Sequence, residues 1–217
     1  MTAAAYALSP REVLRSIDAS RDTIGRRRMK LLDVVAHVDK LVSGAPCVVI
    51  GGLAQILWAR KTHTDDLDLA LATADLQEAY RRVRVRSAPP GWSLPRPLSR
   101  AHEQNEVFEV CHLTYRGSVV DLLAFKDSAF NAEILATARP VAELDHTPFI
   151  RPELLLVTQL LRPTPAAALA AVELLLARRA AGDFDMDYAA HWASALGRKQ
   201  AFTRAVARAE DLASEAP

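Results

Sequence analysis

Two aspartates alternate with leucines in the segment from Asp66 to Leu71, which reads Asp-Leu-Asp-Leu-Ala-Leu. In a β-strand, side chains two residues apart point to the same face. Asp66 and Asp68 would therefore lie side by side while the leucines face a core. Two negative charges held so close repel each other and need a counterion. A hard divalent cation such as Mg²⁺, which prefers oxygen ligands, supplies one. The pattern predicts a metal site on this strand.

A third aspartate lies in another apolar segment, Val119-Val120-Asp121-Leu122-Leu123. Because aliphatic residues flank Asp121, we expect it to be mostly buried, and a buried carboxylate is costly without a partner. A metal ion shared with Asp66 and Asp68 would be that partner. We therefore predict one Mg²⁺ site made by the three carboxylates, with Asp121 also serving as a general base.

A glycine pair precedes the aspartates. Gly51 and Gly52 end an apolar run and open a short predicted helix, and Thr64 stands two residues before Asp66. This order of Gly-Gly, short helix, Thr-x-Asp-Leu-Asp-Leu and a later strand aspartate resembles the active-site signature of the polymerase-β-like nucleotidyltransferase superfamily. The spacing and the helical C-terminal half most resemble the AbiEii/MenT branch, the nucleotidyltransferase toxins of bacterial toxin–antitoxin systems.

The resemblance implies roles for individual residues. The implied catalytic and metal-binding residues are Asp66, Asp68 and Asp121, and the implied nucleotide-binding residues are Gly51, Gly52, Arg60 and Thr64. Glycines let the backbone approach a triphosphate closely, and free N–H groups at a helix start bind anions. Mg²⁺ is the implied cofactor and an NTP the implied substrate. The products would be a nucleotidylated acceptor and pyrophosphate.

By the same resemblance, the acceptor is a tRNA 3′ end, transfer arrests growth, and a cognate antitoxin neutralises the protein. Some toxins of this branch are silenced by phosphorylation at the position of Thr64, so the implied partners include a kinase that acts there. The alternative for Thr64 is a local bond to backbone, as threonine commonly makes. Two rival functions stay open: transfer to a small molecule or a protein, and a degenerate fold that binds nucleotide or a partner without catalysis.

The chain departs from the related motifs in two places. Thr62 stands where related motifs often have arginine, and Arg60 is the nearest substitute. In the first C-terminal helix, Gln159 occupies the place where the AbiEii/MenT branch has a lysine near the triphosphate. These departures favour the degenerate alternative, whereas three intact carboxylates oppose it. The candidates for a later acidic residue are Asp183, Asp185 and Asp187.

The surrounding sequence predicts an α/β fold with a C-terminal helical bundle, and the resemblance implies that a mixed nucleotidyltransferase-type sheet packs on helices before it. We expect a core over residues 1–145 and a bundle over 146–217. Helical spacing predicts a helix that begins at Ser9, helices over 23–42 and 75–83, and a change from helix to strand near Arg86. A proline-rich loop is expected at 87–99 and a β-hairpin from strands 107–115 and 119–125. Four C-terminal helices are predicted at 151–161, 165–180, 186–196 and 198–212.

Composition limits other functions. The chain has 217 residues, 50% of them hydrophobic, and a formal net charge of +1. A chain of this length and composition can bury a core. Its near-zero net charge gives no reason to expect overall attraction to polyanions. Local arginine clusters are either solvated surface or contacts for RNA phosphates. These clusters are residues 26–28 and Arg81, Arg82, Arg84 and Arg86.

Cellular location follows from what the sequence lacks and from its cysteines. Cys47 and Cys111 lie in predicted strands, and we expect buried thiols in a reducing compartment rather than a disulfide. No segment resembles a signal peptide or a membrane-spanning helix. We therefore expect a cytoplasmic protein that does not bind membranes.

Overall fold

The structure, a computed structural model, describes residues 31–59, 64–144 and 147–215. It has the mixed α/β architecture that the sequence predicts. The strands in this part of the chain are β1 (Cys47–Val49), β2 (Asp66–Leu71), β3 (Trp92–Ser93), β4 (His102–Gln104), β5 (Phe108–Tyr115), β6 (Ser118–Phe125), β7 (Arg139–Val141) and β8 (Thr147–Phe149). The helices are α1 (Leu31–Leu41), α2 (Gly51–Trp58), α3 (Thr73–Arg84), α4 (Ser128–Ala136), α5 (Pro152–Leu160), α6 (Pro165–Ala181), α7 (Met186–Ala195) and α8 (Lys199–Glu215).

The described strands form one mixed sheet in the order β3-β5-β6-β2-β1-β8-β7, with β4 paired to β5. Strand β2 runs parallel to β6 and antiparallel to β1. The predicted hairpin is confirmed as β5 and β6, whose register pairs Tyr115 with Ser118 across the turn. In the β2–β6 pair, Asp68 lies directly opposite Asp121. The register of these two central strands therefore sets two of the three aspartates side by side.

Buried side chains hold β2 and β6 in this register. Leu67, Leu69 and Leu71 are fully buried, as the alternation predicts. At the far end of the two strands, Asn131 of α4 joins them. Its Oδ1 accepts from Phe125 N–H at 2.9 Å, and its Nδ2 donates to Leu71 O at 3.1 Å. These bonds satisfy backbone groups that would otherwise be buried without partners.

The C-terminal half is helical, and all four predicted helices are confirmed with small changes at their ends. Thr164 caps α6 by accepting from Ala167 N–H, and Gly182 ends it with φ +71°. Asp185 caps α7 by accepting from Tyr188 N–H. The helices α5 to α8 pack on one another, and α5 and α6 also contact α2. This packing places the bundle beside the start of α2. The division at residue 145 stays a prediction, and β8, which follows it, pairs with β1.

Two local predictions are wrong. Residues Arg84 to Arg86 do not form a strand, because α3 continues to Arg84 and the chain then turns, with Val85 N–H bonded to Arg81 O. The segment 87–99 is not all loop, because β3 pairs with the end of β5 and a 3₁₀ turn spans Leu98–Arg100. The helix predicted to begin at Ser9 and the arginines at 26–28 lie outside the described residues. No helix among those described is both long enough and apolar enough to cross a bilayer.

Candidate active site

The strand register brings three carboxylates together. Asp66, Asp68 and Asp121 each place a carboxylate oxygen within 4.8 Å of the other two, and all three are partly buried. Oxygens at this spacing can share a divalent cation, since the ligands of Mg²⁺ lie at about 2.0–2.1 Å from the ion. No other group of three His, Cys, Asp or Glu residues in the described part of the chain is arranged in this way.

Asp68 is held by the start of α2. Gly52 N–H donates to Asp68 Oδ2 at 3.1 Å, and Ile50 N–H donates to Asp68 O at 3.0 Å. Gly51 has φ +58°, and a Cβ at this position would lie 1.9 Å from Asp68 Oδ2. The first glycine is therefore needed to make room for the carboxylate itself. The predicted contact of both glycines with a triphosphate stays a prediction, and the N–H of Gly52 already binds Asp68.

The environment disfavours the ionised forms of Asp68 and Asp121. Burial and the neighbouring Asp66 raise the pKa of Asp68 to about 7, against the lowering influence of Gly52 N–H and Arg162. Burial also raises the pKa of Asp121, although its hydrogen bond to His112 lowers it. A bound cation would stabilise the ionised carboxylates. The donor set, three mutually repelling oxygens in a partly buried site, thus fits a hard divalent cation.

His112 holds Asp121 in place. Its Nδ1 lies 2.8 Å from Asp121 Oδ1, and its Nε2 lies 3.8 Å from Glu103 Oε1. His112 was not predicted as a site residue, and the predicted turn at 116–118 would have set it opposite Leu122. With Arg116 and Gly117 as the turn, counting outward along the two strands places His112 opposite Asp121. The register of the hairpin thus assigns His112 to the site.

Of the two remaining predicted nucleotide contacts, Thr64 lies within the described residues and Arg60 does not. Thr64 Oγ1–H donates to Asp66 Oδ1 at 2.6 Å, and Thr64 is only 3% exposed. The same hydroxyl lies 3.5 Å from Asp66 O, so the local backbone contact named as the alternative is also present, and the shorter bond orients the Asp66 carboxylate. Arg60 and Thr62 lie outside the described residues, so the predicted contact of Arg60 with the nucleotide stays a prediction.

The three carboxylates line a cavity of about 590 Å³. The opposite wall comes from α5, α6 and the connection between them, and includes Gln159, Arg162 and Glu173. Gln159 was predicted to approach the substrate, whereas Arg162, three residues further, was not. None of the three candidate C-terminal aspartates lines the cavity: Asp185 caps α7, Asp183 pairs with Arg178, and Asp187 lies in the first turn of α7.

Gln55 is a buried polar residue that the sequence analysis did not single out. It lies one turn after Gly52 on α2 and lines the cavity, and it is only 3% exposed. Neither its Oε1 nor its Nε2 has a hydrogen-bond partner within the described part of the chain. Because unpaired buried amide groups are rare and costly, Gln55 is suited to bind a ligand in the cavity.

Comparison with known proteins gives only distant likenesses. No protein-family model matches the chain, and no curated protein matches it either. One similar solved structure is ANT(2″)-Ia in complex with adenylyl-2″-tobramycin, with 13% identity, a TM-score of 0.41, and coverage of 82% of this chain and 97% of that one. Another is a protein from H. pylori that is provisionally assigned as a nucleotidyltransferase, with 11% identity, a TM-score of 0.41, and coverage of 84% and 96%.

Gly51→Ala should destabilise the protein more than Gly182→Ala. Both glycines have positive φ, +58° and +71°, so alanine should cost about 1–2 kcal/mol at either position. An added Cβ at Gly182 meets nothing within 4 Å, whereas at Gly51 it lies 1.9 Å from Asp68 Oδ2. Thermal unfolding should therefore give a lower Tm for Gly51→Ala. The additional Asp68→Ala change should recover most of the difference. Equal Tm values for the two single variants would contradict this role of Gly51.

The stability of the metal-free protein should fall as pH rises from 3.8 to about 7 because of Asp68. In this window the folded state keeps a proton that the unfolded state releases, so the free energy of unfolding decreases with pH. Asp68→Asn has no such proton to lose. The free energy of unfolding, measured with urea in the presence of a chelator, should therefore decrease less between pH 4.5 and pH 7.5 for this variant than for wild type. An equal loss in both would contradict the raised pKa of Asp68.

Proposed function

We propose that this protein is a Mg²⁺-dependent nucleotidyltransferase that transfers a nucleoside monophosphate from an NTP to an acceptor hydroxyl. The observation that carries the proposal is the convergence of Asp66, Asp68 and Asp121 on one cavity of about 590 Å³. Its volume lies within the range of roughly 300–1,000 Å³ typical of small-molecule sites. The order of the glycine pair, the paired aspartates and the later strand aspartate supports the same reaction class.

The carboxylates of Asp66, Asp68 and Asp121 would hold Mg²⁺. When bound, the ion would offset the negative charge of the triphosphate and of the reacting oxygens. Thr64 would keep the Asp66 carboxylate oriented through its 2.6 Å hydrogen bond. Gly52 would do the same for Asp68 through its N–H. Because these bonds already exist in the protein alone, the ligand set needs little rearrangement to bind a cation.

Asp121 would accept the proton of the attacking hydroxyl. The hydroxyl oxygen forms a bond to the α-phosphorus, the bond from that phosphorus to the bridging oxygen breaks, and pyrophosphate leaves. His112 binds one carboxylate oxygen of Asp121 at 2.8 Å, which fixes the orientation of the carboxylate. Burial raises the pKa of Asp121, and a less acidic carboxylic acid corresponds to a stronger base.

The opposite wall would bind the nucleotide. Arg162 lines the cavity one helical turn beyond Gln159 and can supply the positive charge that the expected lysine would bring to the triphosphate. The unpaired amide of Gln55 offers a donor and an acceptor for the base or the ribose. The main chain at Gly51 and Gly52, together with Arg60, stays a proposed contact of the phosphates.

The acceptor and the biological role are proposed from the motif resemblance to the AbiEii/MenT branch. The acceptor would be a tRNA 3′ end, transfer would arrest growth, and a cognate antitoxin would neutralise the protein. A kinase acting on Thr64 would need this residue to become exposed first, since it is buried against Asp66. Its phosphate would replace the hydrogen bond with about −1.5 to −2 charges beside the carboxylates.

Incubation with NTPs labelled at the α-phosphate, Mg²⁺ and total RNA should label RNA with at least one of the four nucleotides. Asp66→Asn should reduce this labelling by at least about a hundredfold, because one of the three charged ligands is lost. If the label is incorporated into protein or into a small molecule, that molecule rather than RNA is the acceptor. If wild type labels nothing under any of these conditions, nucleotidyl transfer is contradicted and the degenerate alternative is favoured.

Gln55→Leu separates substrate binding from folding within the same test. Leucine removes a buried unpaired amide, which is expected to raise stability by about 1–3 kcal/mol. The same change should weaken NTP binding, measured by isothermal titration calorimetry. Gln200→Leu is the matched control, because Gln200 is exposed on α8 and lines neither the cavity nor its mouth. A Gln55→Leu protein that binds NTP as wild type does would exclude Gln55 from the nucleotide site.

A further inference from the structure

A second cavity, of about 790 Å³, adjoins the first. It lies between the α5–α6 connection, α6 and α8. We call it the arginine cleft, because its lining includes Arg162, Arg198, Arg204 and Arg208. Gln159, Leu161, Arg162 and Leu169 line both cavities. The arginine cleft therefore leads directly to the space that the three carboxylates line.

The arginine cleft concentrates positive charge in a protein whose formal net charge is only +1. No Asp or Glu occurs among its described lining residues. Nearby arginines on α6 are ion-paired, Arg178 with Asp183 and Arg179 with Glu210. By contrast, none of the four cleft arginines pairs with a carboxylate within the described residues. Guanidinium groups that form no ion pair with the described carboxylates and share one concave surface favour a ligand with several negative charges.

The spacing of these arginines fits a chain of phosphates better than a single one. Arg204 and Arg208 are four residues apart on α8, so they share a face and lie about 6 Å apart along the helix axis. Arg198 immediately precedes α8 and lines the same cleft. Phosphates of one polynucleotide strand recur at about 3.4 Å along a duplex axis and lie further apart in an unstacked single strand. The three arginines can therefore contact two or more phosphates of one strand.

The arginine cluster at Arg81–Arg86, identified in the sequence analysis, lies outside both cavities. Arg81 pairs with Glu78, and Arg82 donates to the backbone oxygen of Leu41 and to Ser43. None of the arginines from Arg81 to Arg86 lines the active-site cavity or the arginine cleft. At the junction of the two cavities, Leu169 is 58% exposed and offers apolar surface for a base. These features favour the arginine cleft over the Arg81–Arg86 cluster as a binding surface for an acceptor strand.

We propose that the arginine cleft binds the phosphodiester backbone of a single-stranded nucleic-acid acceptor and directs its terminal hydroxyl toward Asp121. This assignment rests on the proposed nucleotidyl transfer and specifies the class of acceptor for it. The charge of the cleft disfavours a cationic small molecule as acceptor, because like charges repel. Arg162, which lines both cavities, would contact the strand where it enters the active-site cavity.

Binding of a labelled single-stranded RNA of about 12 nucleotides tests the assignment without NTP or Mg²⁺. If Arg198, Arg204 and Arg208 each neutralise one phosphate, affinity should fall roughly 20-fold between 50 and 200 mM salt through these contacts. A variant with all three changed to Gln should lose that part of the salt dependence and bind at least about tenfold more weakly at 50 mM. Fluorescence anisotropy measures both quantities.

The matched control is Arg84→Gln with Arg86→Gln, since both residues are exposed and lie outside both cavities. This variant should bind RNA as wild type does. Because Arg198 is half-buried, the Arg204→Gln and Arg208→Gln pair serves as a second cleft variant in which both changes are on exposed residues. Thermal unfolding checks that each variant is folded. RNA binding that persists in the folded cleft variants, or that is lost in the control, would overturn the assignment.

Two further measurements separate this assignment from the proposed reaction. Inorganic triphosphate at an equal concentration of phosphate groups should displace RNA poorly, and full displacement would overturn the assignment to a strand. NTP binding should be unchanged in the Arg204→Gln and Arg208→Gln variant, and a matching loss of NTP binding would also overturn it. If RNA binds in the cleft but wild type transfers no nucleotide to any acceptor, nucleotidyl transfer fails while the binding site stands.

Discussion

The burial of three carboxylates that also repel one another is the constraint on which the rest of this structure depends. The rise in the pKa of Asp68 from 3.8 to about 7 corresponds to about 4 kcal/mol of unfavourable interaction in its ionised form. The opposite face of the same strand supplies the compensating stabilisation. Burial of Leu67, Leu69 and Leu71 contributes about 1.5–3 kcal/mol for each side chain. The alternation of aspartate and leucine thus makes one strand both an anchor in the core and a wall of the site.

The two halves of the chain contribute opposite charges to the same space. The sheet presents Asp66, Asp68 and Asp121, whereas the C-terminal half presents Arg162 and Glu173 to the same cavity and the other cleft arginines beyond them. A bound divalent cation would neutralise the acidic wall, and an anionic substrate would complement the basic one. This arrangement suits a reaction in which a triphosphate and a second anionic molecule must approach each other. It gives the helical bundle a chemical role in addition to its packing against α2.

Features set by local pattern were predicted well from the sequence. The period-2 alternation around Asp66 and the turn residues between two β-favouring segments indicated the strands and the hairpin, although the observed turn is one residue shorter than predicted. Caps such as Thr164 and Asp185 fix helix starts in the same local way. The predicted turn at 116–118 would have placed His112 opposite Leu122, whereas the observed two-residue turn pairs His112 with Asp121.

Other features depend on packing between distant segments, and no local pattern encodes them. Glycine is required at position 51 because Asp68, 17 positions later, occupies the space of a Cβ, and not only because of its φ. Gln55 reads as an ordinary helix residue until its burial beside the cavity is known. The arginines of α8 are spread over a long amphipathic helix, and only its packing against α6 gathers them with Arg162. The end of α3 was predicted wrongly because alternation over a few residues cannot distinguish a strand from a helix that ends in a turn.

A crystal structure with Mn²⁺ and an NTP analogue that resists cleavage between its α- and β-phosphates would show whether Asp66, Asp68 and Asp121 form one metal site beside the nucleotide. Manganese gives an anomalous signal that locates the ion independently of the protein model. Manganese should be bound by oxygens of Asp66, Asp68 and Asp121, with the triphosphate in the same cavity. An ion that contacts at most one of these carboxylates, or a nucleotide bound outside the cavity, would contradict it.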